Sequence, residues 1–187
     1  MIAGLLLAAG AGRRYGMPKA LVDEGAWLRR AVAALTGAGC DPVLVVLGAA
    51  ADQVAPLVPD VASTVLAPDW AEGMGASLRA GLSALARSAE PQVQAALVHL
   101  VDLPDVNASV VGRLATQAGP AVVARAVFGG RPGHPVLFGR LHWPDVVASA
   151  SGDRGARDWL AGRSDLVLVD CSDLASGEDV DQDPASS

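Results

Sequence analysis

Six short segments of this chain are apolar along most of their length: Ile2–Ala8, Pro42–Leu47, Ser63–Leu66, Ala95–Leu100, Ala121–Val127 and Leu166–Val169. Strict alternation would mark strands with one face in water, whereas near-continuous runs mark strands covered on both faces. Between them, Trp27–Ala38, Asp52–Leu57, Ala76–Ser88 and Asn107–Ala118 carry apolar residues at helical spacing, with Asn107 and Ser77 suited to act as N-caps. Such alternation implies right-handed βαβ crossovers and therefore an α/β fold around a mostly parallel sheet. The chain is 51% apolar but only 4% aromatic, so Ala, Val and Leu must fill the core. At 187 residues, with no internal repeat and no linker, residues 1–187 are expected to form a single domain. Gly129–Asp158, rich in Gly, Arg and Pro, breaks the rhythm and is read as an insertion contributing to a site. The acidic, Ser-rich tail Ser172–Ser187 is expected to be partly irregular and frayed at its end.

The opening run resembles a signal peptide only superficially. It has no basic leader and passes directly into Gly10-Ala11-Gly12-Arg13-Arg14, so a buried strand is the expectation. No apolar run approaches the roughly 20 residues that cross a bilayer, and no membrane partner is expected. Cys40 and Cys171 lack metal-ligand spacing and read as free thiols, which suits a cytoplasmic protein. A net charge of −6 without a Lys/Arg block argues against a nucleic-acid partner. An acidic chain can still bind a nucleotide where its cations are local.

Ligands of such sheets bind at the carboxyl ends of strands. The first loop there reads Leu7-Ala8-Ala9-Gly10-Ala11-Gly12-Arg13-Arg14-Tyr15-Gly16-Met17-Pro18-Lys19. Its glycines permit a tight backbone whose N–H groups can face an anion, while Arg14 and Lys19 supply positive charge. A Walker A loop is excluded because GxxxxGK[ST] is absent. A dinucleotide fingerprint is excluded because the third glycine comes one residue late and Pro18 interrupts the helix that should follow.

This loop resembles the LAAGxGxRxGxPK signature of the MobA-like nucleotidyltransferases, and in particular the molybdenum cofactor cytidylyltransferases of the MocA type. The resemblance implies a three-layer α/β/α Rossmann-like nucleotidyltransferase fold. It also implies binding of an NTP by Leu7, Ala8, Ala9, Gly10, Ala11 and Gly12, with Arg14 and Lys19 as catalytic cations. Four further segments extend it. Gly73-Met74-Gly75-Ala76-Ser77-Leu78 is similar to the family's GMGxSL element, which assigns Gly75 and Ser77 to the nucleoside. Asp102-Leu103-Pro104 resembles its DLP, with Asp102 on a metal; Mg²⁺ needs few carboxylates beside phosphate oxygens, and Mn²⁺ is an alternative. Gly130-Arg131-Pro132-Gly133-His134-Pro135-Val136-Leu137-Phe138 resembles GRxGHPVLF, and places His134 in a stiff turn near the acceptor. Gly152-Asp153-Arg154-Gly155-Ala156-Arg157 matches GDxGAR, putting Arg154 and Arg157 near a helix start suited to an acceptor phosphate. Asp179-Val180-Asp181-Gln182-Asp183-Pro184 only partly resembles DIDTPED; Asp181 is expected as a second metal ligand, with Asp179 competing for that role.

The reaction so implied is in-line transfer of CMP from CTP to molybdopterin with release of pyrophosphate. CTP is favoured over GTP because Ala8-Ala9-Gly10 resembles the cytidylyl form, where guanylyl relatives tend to read AGG. Hand-over of the product implies transient contact with a recipient molybdoenzyme. Guanylyl transfer, transfer to another phosphorylated acceptor, and a non-catalytic nucleotide-binding or chaperone module stand as alternatives.

Overall fold

The computed structural model describes residues 1–88 and 91–181. Seven strands form one sheet in the order β3-β2-β1-β4-β6-β5-β7: β1 Ile2–Leu7, β2 Val43–Leu47, β3 Ser63–Leu66, β4 Ala95–Leu100, β5 Val123–Phe128, β6 Arg131–Gly139 and β7 Val167–Asp170. Six of the seven share one direction, and β6 alone runs against its neighbours β4 and β5. The central strands β1, β2 and β4 are buried along nearly their whole length, as continuous apolar runs require. The opening run is thus a central strand.

Helices cover both faces. α1 (Ala26–Gly37) and α4 (Ala108–Ala115) bury Leu28, Val32, Leu35, Val110 and Leu114 against one face. A one-turn α2 (Ala51–Val54) lies on the same side. The other face is covered by α3 (Met74–Ser88), α5 (Trp143–Ser149) and α6 (Arg157–Ala161), through Leu78, Leu82, Leu85, Val146 and Leu160. Each such side chain contributes about 1.5–3 kcal/mol when fully buried, so the two apolar layers hold the sheet. Gly81 lets α3 approach closely: a Cβ there would stand 2.6 Å from Leu5 Cδ1 and 2.9 Å from Val46 Cγ2.

Two expectations need correction. The segment Gly129–Asp158 is no insertion: it supplies β6, α5 and the start of α6. Gly129 and Gly130, at φ +55° and +78°, form a two-residue turn between the paired Phe128 and Arg131 and send the chain back as an antiparallel strand. The prolines are tolerated because β6 pairs with β4 only from Val136 to Gly139, so residues 131–135 meet β5 alone. Ser77 is not an N-cap, because α3 begins at Met74 and buries Ser77 within it. Asn107 does cap α4, its Oδ1 accepting from the N–H groups of Ser109 (2.9 Å) and Val110 (3.3 Å). The tail is irregular from Cys171 to Asp181; the expectation of fraying at its end, and Gln182, Asp183 and Pro184 of the last motif, lie outside the described residues.

Candidate active site

Register places the two most informative loops side by side. Leu7 pairs with Leu100 at the last rung of β1 and β4, so the glycine loop and Asp102 leave adjacent strand ends. A cavity of about 520 Å³ opens there, lined by Leu7, Ala9, Gly10, Ala11, Gly12, Arg14, Lys19, Ser77, Asp102 and Asp181. Ala8 is on the opposite face, inside the core beneath α1. Gly75 is spent on packing: a Cβ there would lie 2.6–2.7 Å from the Ser151 backbone. Gly73 meets Gly152 and Asp153 in the same way, so the GMG turn and the GDRGAR segment are locked together.

The glycine loop is compact. Gly16 N–H donates to the Gly12 carbonyl at 2.8 Å, and Gly12 has φ +61°. A Cβ at Gly12 would collide with the Met17 carbonyl, which explains why this position must lack one. Among the described residues, no N–H of Ala9 through Arg14 donates to a protein acceptor. The amides at Gly10–Gly12 are therefore available to an anion in the cavity they line.

Lys19, Asp102 and Asp181 form one ionic knot. Lys19 Nζ donates to Asp102 Oδ2 and Asp181 Oδ1, each at 2.9 Å, and Arg14 Nη1 stands 3.4 Å from Asp181 Oδ2. Burial disfavours the charged lysine, but the Asp102 and Asp181 carboxylates together outweigh it and raise its pKa. The hydrogen bond from Lys19 in turn lowers that of Asp181. Asp179 joins the group, and one carboxylate oxygen from each of Asp102, Asp179 and Asp181 lies within 4.8 Å of the others. Asp102 Oδ1 is buried without a partner. A carboxylate with an orphaned oxygen, clustered with two further carboxylates, fits a hard divalent cation.

A second, smaller cavity of about 90 Å³ adjoins the first, sharing Leu7, Met74 and Asp153. Here the structure collects His134, Arg154 and Arg157, the three residues expected near the acceptor. His134 sits in β6 and not in a turn, beyond the rungs that pair β6 with β4. Burial, with the charges of Arg125 and Arg157 nearby, pushes its imidazole down to about 3, so the ring is neutral. Arg154 is held by Asp158, four residues on, at 2.6 Å. Arg157 is the first residue of the short helix α6 (Arg157–Ala161), and Arg154 lies three residues before it.

Residues 4–167 match the model of the MobA-like NTP transferase domain. The chain belongs to the MobA-like NTP transferase family. A nicotine blue oxidoreductase of Paenarthrobacter nicotinovorans is 39% identical over 194 residues, covering 96% of this chain and 92% of the relative. The crystal structure of an Rv0371c homolog from Mycobacterium sp. strain JC1 superposes with a TM-score of 0.82 at 30% identity, covering 97% of this chain and 90% of the other. The manganese complex of Rv0371c from Mycobacterium tuberculosis H37Rv gives 0.73 at 28% identity, covering 90% and 87%. A nucleotidyl transferase from Methanothermobacter thermautotroptrophicus, at 22% identity and a TM-score of 0.81, shares the fold.

In this NTP transferase, Arg125 was not visible as a site residue. It lies on β5 within an apolar run, and its Nε donates to the Gly133 carbonyl at 2.9 Å, which aims the guanidinium into the small cavity beside His134. Burial and the Arg157 charge lower its pKa, the mark of two cations sharing one enclosure. Trp70 and Tyr15, lining the large cavity, were also missed. No motif carries them, although a charged residue inside a strand that is otherwise buried is a signal that singles out Arg125.

Proposed function

We propose that the protein transfers CMP from CTP to molybdopterin with release of pyrophosphate, as a divalent-cation-dependent enzyme of the MocA type. The observation that carries this reading is the convergence of Lys19, Arg14 and the three carboxylates beside a loop of available amides. The reading places the triphosphate along Gly10–Gly12, with Arg14 and Lys19 offsetting charge on its outer phosphates. Asp102, with Asp181 and Asp179, would hold Mg²⁺ or Mn²⁺; when bound, such an ion stabilises charge on the phosphate oxygens and on the leaving pyrophosphate. The manganese complex of the M. tuberculosis relative supports this choice of cation.

Ser77, buried at the cavity wall, orients the nucleoside. The acceptor's phosphate is directed by Arg125 and Arg157 in the adjoining cavity, with Arg154 at its rim and neutral His134 as a hydrogen-bonding wall. That phosphate is already ionised at neutral pH, so the protein need not supply a base. Catalysis then consists of alignment and charge stabilisation. Pyrophosphate release measured with CTP, a divalent cation and molybdopterin tests the reading.

The nicotine blue oxidoreductase relative favours a second reading, oxidoreduction of nicotine blue. A change in the absorbance of nicotine blue on incubation with the purified protein and a redox partner, unaffected by Asp102→Ala, would support it over nucleotidyl transfer.

A further inference from the structure

The carboxylates Asp179 and Asp181 arrive at the site on a segment with no secondary structure of its own. After β7 the chain runs from Cys171 to Asp181 without helix or strand, tied to the fold by a few backbone hydrogen bonds and by side chains that grip it. Arg113 forks onto Asp173 at 2.5 and 2.9 Å near the beginning. Closer to the site the grip is Asp105. Its Oδ2 accepts three hydrogen bonds from the strap: Ser176 N–H at 2.6 Å, Ser176 Oγ at 2.6 Å and Gly177 N–H at 3.3 Å. Three residues later Val180 N–H donates to the Asp102 carbonyl at 3.1 Å, and Asp181 then reaches Lys19.

Asp105 lies in the tight turn Leu103-Pro104-Asp105-Val106, closed by Val106 N–H on the Leu103 carbonyl at 3.2 Å, and Asp102 immediately precedes that turn. One carboxylate of the cluster and the anchor that sets the register of the other two are therefore three residues apart on one short loop. Asp105 is not a member of the cluster. We propose that Asp105 is a positioning residue: by clasping Ser176 and Gly177 it fixes Asp179 and Asp181 against Asp102, so that divalent-cation affinity depends on a residue that is not a ligand. This rests on the reading that the three carboxylates bind a divalent cation.

The test uses nucleotide-free full-length protein and two readouts: Mn²⁺ titration followed by electron paramagnetic resonance, and hydrogen exchange of the Val180 amide. Loss of an outer partner of this kind weakens metal binding by about 10–100-fold. Asp105→Ala is expected to weaken Mn²⁺ binding about tenfold and to speed Val180 exchange. Asp105→Asn removes the charge but keeps an accepting oxygen, and is expected to restore both. Wild-type Mn²⁺ affinity or unchanged Val180 exchange in Asp105→Ala would overturn the proposal. So would an Asn variant as weak as the Ala variant, because long-range charge and not position would then be the cause. Failure of the underlying reading is distinguishable: wild type holding Mn²⁺ no better than Asp102→Ala would overturn the cation site, and the proposal with it, even with Val180 exchange faster in Asp105→Ala.

Discussion

Lys19 Nζ lies 2.9 Å from Asp102 Oδ2, joining the end of the glycine loop to the end of β4. The two side chains have opposite tasks in the proposed reaction, one toward phosphate and one toward the cation, and their replacement should separate those tasks. Asp102→Ala is expected to reduce turnover to background while NTP binding and the unfolding midpoint stay near wild type. Lys19→Ala, removing a charge-assisted contact worth roughly 1.5–3 kcal/mol, should weaken NTP binding by about 10–100-fold. Titration calorimetry beside steady-state kinetics checks both, and near-normal turnover in Asp102→Ala would show that the carboxylate has no part in the chemistry.

Gly10 and Gly12 should respond differently to the same change. Gly12→Ala forces a side chain onto the Met17 carbonyl at positive φ, so both the thermal midpoint and NTP affinity are expected to fall. Gly10 has nothing within 4 Å of the position a Cβ would take. Gly10→Ala should therefore leave the midpoint unchanged and lower only NTP affinity, through obstruction of the ligand itself. Equal destabilisation of the two variants would contradict this division.

The expectations drawn from residues alone located six of the seven strands, because all six parallel strands read as largely apolar runs, including β3 and β7, which the fold leaves mostly exposed at the sheet edges. β6 escaped because Arg131, Pro132, Gly133 and Pro135 look like loop, and only its pairing with β5 alone over that stretch makes them acceptable. Motif resemblance singled out Arg14, Lys19, Asp102 and Asp181, which the fold brings to one cavity, and His134, Arg154 and Arg157, which it brings to another. Arg125 was legible only as a charge inside an apolar strand run. Asp105 was illegible for a different reason: it acts through Ser176, distant in sequence, and no local pattern encodes that proximity.

His99 makes stability depend on acidity. It is fully buried on β4, neither ring nitrogen has a partner among the described residues, and burial pushes its pKa down to about 4. The unfolded chain has its histidine near 6.5, so between pH 6.5 and 4 the unfolded state takes up a proton that the folded state refuses. Stability present at neutral pH is thus lost as pH falls through that window, by roughly 3 kcal/mol for a shift of this size. His134 acts in the same direction. Urea unfolding at pH 7 and pH 4.5 should show a smaller acid loss in His99→Leu than in wild type; an identical loss would assign it elsewhere.

Arg157→Gln should act on the acceptor and not on the nucleotide. Its guanidinium lines the small cavity and is absent from the lining of the large one. KM for the acceptor is expected to rise about tenfold with KM for CTP unchanged, as loss of one charged hydrogen bond predicts. A rise confined to the KM for CTP would move Arg157 to the nucleotide.

The most direct measurement is pyrophosphate release with Mg²⁺ and molybdopterin, run in parallel with CTP, GTP, ATP and UTP. The account predicts release with CTP, little with the other three, and none with Asp102→Ala. Tight binding of nucleotide without pyrophosphate from any of the four would contradict it.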